Sequence, residues 1–427
     1  MGVLLLFFIF IGLVFLGVPV AFSIGIASLT HLLTRGDLPL TIMVQRMTYG
    51  LDSFPFLALP LFILAGQLMN RIGVTDKIFD FALSLVGHVK GSLGHVNVLG
   101  SMIFAGMSGV AQADAAGLGA IEIEAMTKAG YERPFAAAIT ATSSIVGPII
   151  PPSVIMAIFA VISQISLARL FLAGFIPGII MGTCLMIAVY YLAAGGKVKG
   201  AVFERQPFVV VLKKFYKAFP ALMTPIILVG GMLAGAATPT ELGALCVVYG
   251  LILGAFYRRL KVRILIEVFK ESLLLMGMMV LIISCAFPFG WLVAINDLPA
   301  KLADFILSIS SSRWLVLLMV NGVLLFLGSF METTAILLIM TPVLFPLMQN
   351  IGVHPVHFGL IMIINLLIGA VTPPFGVCVY IAADIARVPS FRVFRASLPF
   401  LIPLLVVLFL VTYIPQLVLF IPNLVFG

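Results

Sequence analysis

The chain has 427 residues, 62% of them hydrophobic and only 9% charged, with a net charge of +8. Soluble domains carry about 25% charged residues, and no hydrophilic run here is long enough for a soluble domain, so composition dictates a polytopic helical membrane protein. A β-barrel is excluded because it would alternate polar and apolar residues over short segments, and in a membrane chain the positive charge reports orientation rather than nucleic-acid binding.

The N-terminus, Met1-Gly2-Val3-Leu4, has no basic n-region and makes a poor cleaved signal peptide. Apolar segments able to span the bilayer come at about 2–17, 19–34, 54–71, 132–164 and 168–195. The second half gives 218–235, 239–257, 273–293, 354–386 and 397–421. Two further stretches fit poorly as simple spans. One, about 93–126, is interrupted by Gly106-Met107-Ser108-Gly109 and by Gln112 and Asp114. The other, about 314–348, is interrupted by Gly328-Ser329-Phe330-Met331-Glu332-Thr333-Thr334. A helix, a polar tip and a second helix read as a re-entrant hairpin, whose tip must be buried in protein or wet. Segments 74–88 and 297–309 carry Asp and Lys on otherwise apolar helices and fit amphipathic arms lying in the interface.

Two spans cannot be continuous. Ser143-Ser144-Ile145-Val146-Gly147-Pro148-Ile149-Ile150-Pro151-Pro152-Ser153 holds three prolines and a glycine, and proline lacks the amide donor a helix interior needs. Gly369-Ala370-Val371-Thr372-Pro373-Pro374 repeats the pattern 222 residues later. The same offset pairs Gly106 with Gly328, Gly130 with Gly352 and Pro177 with Pro399. The expected architecture is therefore an all-α polytopic membrane protein of two inverted-topology repeats, each of five spans plus one re-entrant hairpin. The first repeat covers 1–195, a cytoplasmic linker loop 196–217, and the second repeat 218–427. With that linker inside, 19 of the 24 basic residues fall on the cytoplasmic face, as the positive-inside rule requires. Both termini are then predicted outside.

Interrupted helices at matching positions of two halves point to a secondary transporter's binding site. Where the first helix stops, Ser143, Ser144 and Gly147 offer hydroxyls and carbonyls suited to a small hard cation such as sodium. Where it restarts, Ser153 sits among amides that suit a carboxylate, faced by Ser108 of the hairpin tip. The second half repeats this with Gly369 and Thr372, faced by Glu332, Thr333 and Thr334. Two cation sites flanking one substrate site are expected, with Ser108, Ser153 and Glu332 toward substrate. Their repeat partners differ, Phe330 for Ser108 and Phe375 for Ser153, as reading an asymmetric substrate requires; the plainer reading makes the serines caps and the phenylalanines packing. Among membrane acids, which are functional hypotheses by default, Glu332 is the strongest. Asp114 caps or pairs locally, and Asp384 pairs with Arg387. Glu122 and Glu124 face the cytoplasm or pair with Lys128.

The four cysteines form no CxxC pair, and His354 and His357 have no evident third ligand, so no disulfide framework or zinc site is expected. No organic cofactor is expected either. A Ser–His constellation for hydrolysis is missing, so the chain does not read as an enzyme. A cation/proton antiporter with crossed broken helices remains as a competing reading, although neither break itself holds an acid.

The opening FLGVPVAFSIG, the tip FAGMSG, GYERPFAAA, SSIVGPIIPPS, GSFMETTA and TPPFG together resemble the large membrane subunit of tripartite ATP-independent periplasmic (TRAP) transporters, the DctM/SiaM type. The resemblance covers nearly the whole chain. It implies an elevator-type, sodium-driven importer in a bacterial inner membrane. It further implies a small four-helix membrane subunit and a periplasmic binding protein that delivers an organic acid, sialic acid ahead of a C4-dicarboxylate. Carried over, the tips and breaks form the sodium and substrate region.

Overall fold

The structure, a computed structural model, describes the chain except residues 1, 37, 53, 197, 199, 299, 302, 303, 305–307 and 309–311; side chains at 2–4, 15, 50, 54, 55 and 108 are also outside the described residues. Among the described residues the regular secondary structure is entirely helical. In the first half the helices are α1 Gly2–Phe15, α2 Val20–Arg35, α3 Thr41–Leu51, α4 Ala58–Arg71, α5 Val74–Val86, α6 Ser92–Ser108, α7 Ala111–Ala116, α8 Leu118–Lys128, α9 Arg133–Ser144, α10 Val154–Ser163, α11 Leu167–Ala173 and α12 Phe175–Ala194. The second half has α13 Phe208–Leu233, α14 Pro239–Phe256, α15 Val262–Ile295, α16 Arg313–Phe330, α17 Thr333–Asn350, α18 Pro355–Gly369, α19 Val377–Ala386, α20 Ser390–Tyr413 and α21 Gln416–Phe426. Among the described residues seven helices are long and apolar enough to cross a membrane, and up to nine spans result if each bent pair is one.

The repeat is visible in the breaks. α6 stops at Ser108 and α16 at Phe330, 222 residues on. The Pro151–Pro152 and Pro373–Pro374 peptides are both cis. The second legs α10 and α19 both end on a left-handed residue, Gln164 at φ 56° and Arg387 at φ 53°. α9 packs against α19, the second leg of the other broken helix. Ala136, Ala137, Ala138 and Ala141 of α9 are buried, and small side chains let membrane helices approach closely where lipid supplies no hydrophobic drive between them. At Gly359 of α18 a Cβ would meet the Phe159 ring of α10 at 2.6 Å, so that crossing needs glycine.

Four boundaries differ from the sequence expectation. The linker 196–217 is a loop only to Pro207; α13 begins at Phe208, because Val209, Val210, Val211 and Leu212 followed by Lys213 and Lys214 make an amphipathic lead-in to the span. The span expected at 273–293 is a 34-residue helix from Val262, about 51 Å at 1.5 Å per residue, well beyond a hydrocarbon core of about 30 Å. The span 397–421 is divided at Ile414–Pro415, where proline removes a donor. α3 was not anticipated, being short and carrying Thr41, Gln45, Arg46 and Thr48.

The arm expected at 74–88 is α5, which leaves α4 at 72°. Gly73, at φ 78°, makes the turn. Val74, Ile78 and Phe81 are buried while Asp76 and Asp80 face out. The arm expected at 297–309 falls largely outside the described residues, as do Lys197 and Lys199. His354 caps α18 by accepting from Val356 N at 3.3 Å, and His357 Nε2 bonds Val411 O at 2.7 Å. No cluster of three metal-ligating side chains occurs among the described residues.

Candidate transport site

The first hairpin consists of α6 and its return, α7 and α8. Gly109 closes α6 in the left-handed region at φ 63°, which favours glycine. It also lies against the first broken helix: Val154 N donates to Gly109 O at 3.2 Å, and a Cβ on Gly109 would be 2.5 Å from Pro152 O. The second hairpin, α16 and α17, docks likewise. Phe375 N donates to Ser329 O at 2.9 Å, and a Cβ on Gly369 would be 2.4 Å from the carbonyl carbon of Gly328. Each tip is thus fastened to its own break by backbone contact.

Between the two tips and α15 lies a cavity of about 420 Å³. Gly109, Gln112, Pro148 and Ile155 line it from the first half, and Glu332, Thr333, Thr334 and Leu367 from the second. Met278, Met279 and Ile282 of α15 close the remaining wall, and methionine's flexible thioether suits a surface that must repack. The walls are mostly apolar, with Gln112, Glu332, Thr333 and Thr334 as polar groups. That is the composition of a small-molecule site with a few orienting donors and acceptors.

The expected site residues fall into three sets. Glu332, Thr333 and Thr334 reach the cavity. Glu332 is half-buried and caps α17, accepting from Ala335 N at 3.0 Å and from the Thr334 hydroxyl at 2.9 Å. It is the charged residue among the described lining, so an anion entering the cavity meets like charge there. Thr333 donates to Leu366 O at 3.4 Å, beside Gly369.

Ser143, Ser144 and Gly147 are buried at the first break. Ser143 donates to Asn97 Oδ1 at 2.6 Å, and Asn97 donates to Thr140 at 2.7 Å, which fastens α6 to α9. Ser144 donates to Ala141 O at 2.9 Å. Gly369 and Thr372 occupy the second break, where Thr372 donates to Ile368 O at 2.7 Å. The two breaks are not equivalent in exposure. Residues 145–153 are all buried, whereas Pro373, Pro374 and Phe375 are exposed.

Ser153 is the main departure. It is fully buried, accepts from Met156 N at 3.2 Å as the N-cap of α10, and donates to Pro148 O. Its hydroxyl is consumed inside the break rather than offered to the cavity, and Val154 N is already taken by Gly109. The Pro-Pro-Ser side is therefore closed by the hairpin tip, which an unfolded view of the sequence could not reveal. Ser108 ends α6, but its side chain lies outside the described residues.

Asp114 neither caps a helix nor pairs with a nearby charge among the described residues. It is 1% exposed, and among the described residues neither carboxylate oxygen has a hydrogen-bond partner. A Cβ on Gly147 would lie 3.7 Å from Oδ2 and meet nothing else within 4 Å. The first break thus does hold an acid, supplied by α7 rather than by its own helix. A buried, unpartnered carboxylate demands a counter-charge or a proton. Glu122 is also 1% exposed and unpartnered, with Oε1 against Gly100, contrary to the cytoplasmic-facing expectation. Glu124 does pair with Lys128, at 2.6 Å.

The sequence profile of the family described as the tripartite ATP-independent periplasmic transporter, DctM component, matches residues 7–417. The chain is 42% identical to the sialic acid TRAP transporter large permease protein SiaM of Vibrio cholerae, over 98% of this chain and 97% of that one. It is 36% identical to the C4-dicarboxylate TRAP transporter large permease protein DctM of Pseudomonas aeruginosa, over 94% of each. Among solved structures, the Alcanivorax borkumensis YdaH transporter, described as having an unusual topology, superposes with a TM-score of 0.62 at 15% identity, covering 87% of both chains. At that identity the likeness is one of fold.

Proposed function

The chain belongs to the DctM component family of tripartite ATP-independent periplasmic transporters, and from that premise we propose that it is the large membrane subunit of a sodium-coupled importer of an organic acid. The observation that carries this reading is the convergence of two hairpin tips and two broken helices on one cavity against α15. In the orientation set by the basic face, α1 runs inward from outside, and the second hairpin enters from outside. A periplasmic binding protein delivers the acid, and a small membrane subunit completes the permease. The hairpins and broken helices move as one body against a scaffold that includes α15. Coupling cations held near Asp114 and near Glu332 offset the repulsion between those carboxylates and an anionic substrate. Relatives are named for sialic acid and for C4-dicarboxylates, and sialic acid is preferred here because the SiaM relative is the more similar of the two.

The test is uptake into proteoliposomes containing this chain, the small subunit and the binding protein. Sialic acid, succinate and isethionate are offered, each with a sodium gradient, a proton gradient or neither. Sodium-driven uptake of one acid, dependent on the binding protein, is expected. Full-rate uptake by this chain alone would overturn the three-component reading. Asp114 at the first break favours one second reading, in which that carboxylate carries a proton; uptake driven by the proton gradient without sodium would select it.

A further inference from the structure

A second cavity, of about 230 Å³, lies farther along the same helices. The three helices that bound the tip cavity on two sides also bound this one, displaced in a common direction. On α15 the lining moves from Leu275–Ile282 to Ala286–Trp291; on α10 from Val154–Ile158 to Ile162 and Gln164 beyond it; on α17 from Thr333 to Pro342. Ten residues along α15 correspond to about 15 Å. In the proposed orientation that displacement is toward the outside, where substrate arrives.

The outer cavity differs from the inner one in charge. α3 contributes Arg46, whose guanidinium lies over the Trp291 ring at 4.9 Å from its centroid. Among the described residues Arg46 makes no ion pair and no hydrogen bond. Its N–H donors have no protein acceptor among the described residues, and a guanidinium with a free edge takes a carboxylate in two parallel bonds. Tyr49 and Gln164 stand on the same rim. A volume of this size holds one end of an organic acid rather than a whole sugar acid.

We propose that this outer cavity is an entry subsite, in which Arg46 binds the carboxylate of the arriving acid before the acid descends to the cavity between the hairpin tips. The proposal rests on reading the chain as an importer of organic acids. It also supplies what the tip cavity lacks, since among the described residues the lining there offers Glu332 but no cationic side chain. The residue is carried by α3, an element too short and polar to show as a span in the sequence.

The experiment uses Trp291 as the reporter. The protein has two tryptophans, Trp291 and Trp314, so Trp314→Phe leaves this chain one emitter, whose ring lies against the Arg46 guanidinium. The full chain, with a small subunit whose tryptophans are replaced by phenylalanine, in phosphatidylcholine vesicles free of belt protein, is titrated with sialic acid, succinate and isethionate, with galactose as the neutral control. A saturable change in Trp291 emission is expected for at least one anion and not for galactose. Arg46→Gln should abolish it, and Arg46→Lys should weaken the binding about tenfold, the loss of a bidentate fork. In the uptake assay Arg46→Gln should raise KM about tenfold at unchanged kcat. Silence toward all three anions, or an unchanged response in Arg46→Gln, would overturn the subsite. So would emission that follows added phosphatidylglycerol but not the acids, which would make Arg46 a lipid-headgroup contact. A fall in kcat at constant KM would make it a structural residue. If the unmodified system transports none of the acids while the titration still saturates, the importer reading fails and the anion site stands.

Discussion

Two side chains decide how the first break works. Asp114 sits buried near the Ser101 hydroxyl, with no hydrogen bond or counter-charge within bonding distance among the described residues, 3.7 Å from where a Gly147 side chain would begin. If its charge is met by a coupling cation, Asp114→Asn should raise the sodium concentration for half-maximal uptake about tenfold, equivalent to about 1.4 kcal/mol. Sodium-titrated uptake is the check, and an unchanged half-saturation would place the cation elsewhere. Ser153 calls for the opposite kind of effect. Its hydroxyl caps α10 and holds Pro148 O, so Ser153→Ala removes a cap worth about 1 kcal/mol while touching nothing in the cavity. Thermal unfolding in detergent should shift down, and the KM for substrate should hold. A raised KM with unaltered unfolding would return Ser153 to the substrate-facing role that its position in the sequence first gave it.

At the level of elements, the glycines separate docking from ion binding. Gly109 and Gly369 are pressed against the opposing backbone, at 2.5 and 2.4 Å for an added Cβ, whereas Gly147 has 3.7 Å of clearance. Backbone cannot move aside as a flexible side chain can. Gly109→Ala and Gly369→Ala should therefore lift a hairpin off its break and abolish uptake along with stability. Gly147→Ala should fold normally and change only the sodium dependence. Unfolding curves measured beside uptake distinguish the two outcomes, and equal damage at all three positions would refute the distinction. The breaks themselves were legible, because proline and glycine interrupt an apolar run at one constant offset. So were the hairpins, whose polar tips have no place in lipid. Asp114 was visible as a residue but not as a neighbour of Gly147, since the two meet only when α7 folds back over the break. The same holds for Gly109 against Pro152, the contact that closes Ser153 away. α3 was lost for a different reason: an 11-residue helix with Gln45, Arg46 and Thr48 has too little apolar length to read as a span.

Seen whole, the molecule has two cavities at two heights along the boundary between α15 on one side and α10 and α17 on the other. An elevator mechanism requires those two sides to slide past each other. Their contact is close at one point, where a Cβ on Gly290 would lie 3.1 Å from Pro342 Cβ, near the Cβ separation of about 3.8 Å that a disulfide spans. The cysteines Cys184, Cys246, Cys285 and Cys378 are all free and can be replaced by serine or alanine first. In that background Gly290→Cys with Pro342→Cys should oxidise to a cross-link between α15 and α17. A cross-link there fixes the two bodies at one height, so uptake should drop to background and return on reduction with dithiothreitol. Either single cysteine should transport under both conditions. Quantitative cross-linking with uptake intact would mean that α15 travels with the hairpins, and the scaffold would then have to be sought among α2, α13 and α14 instead.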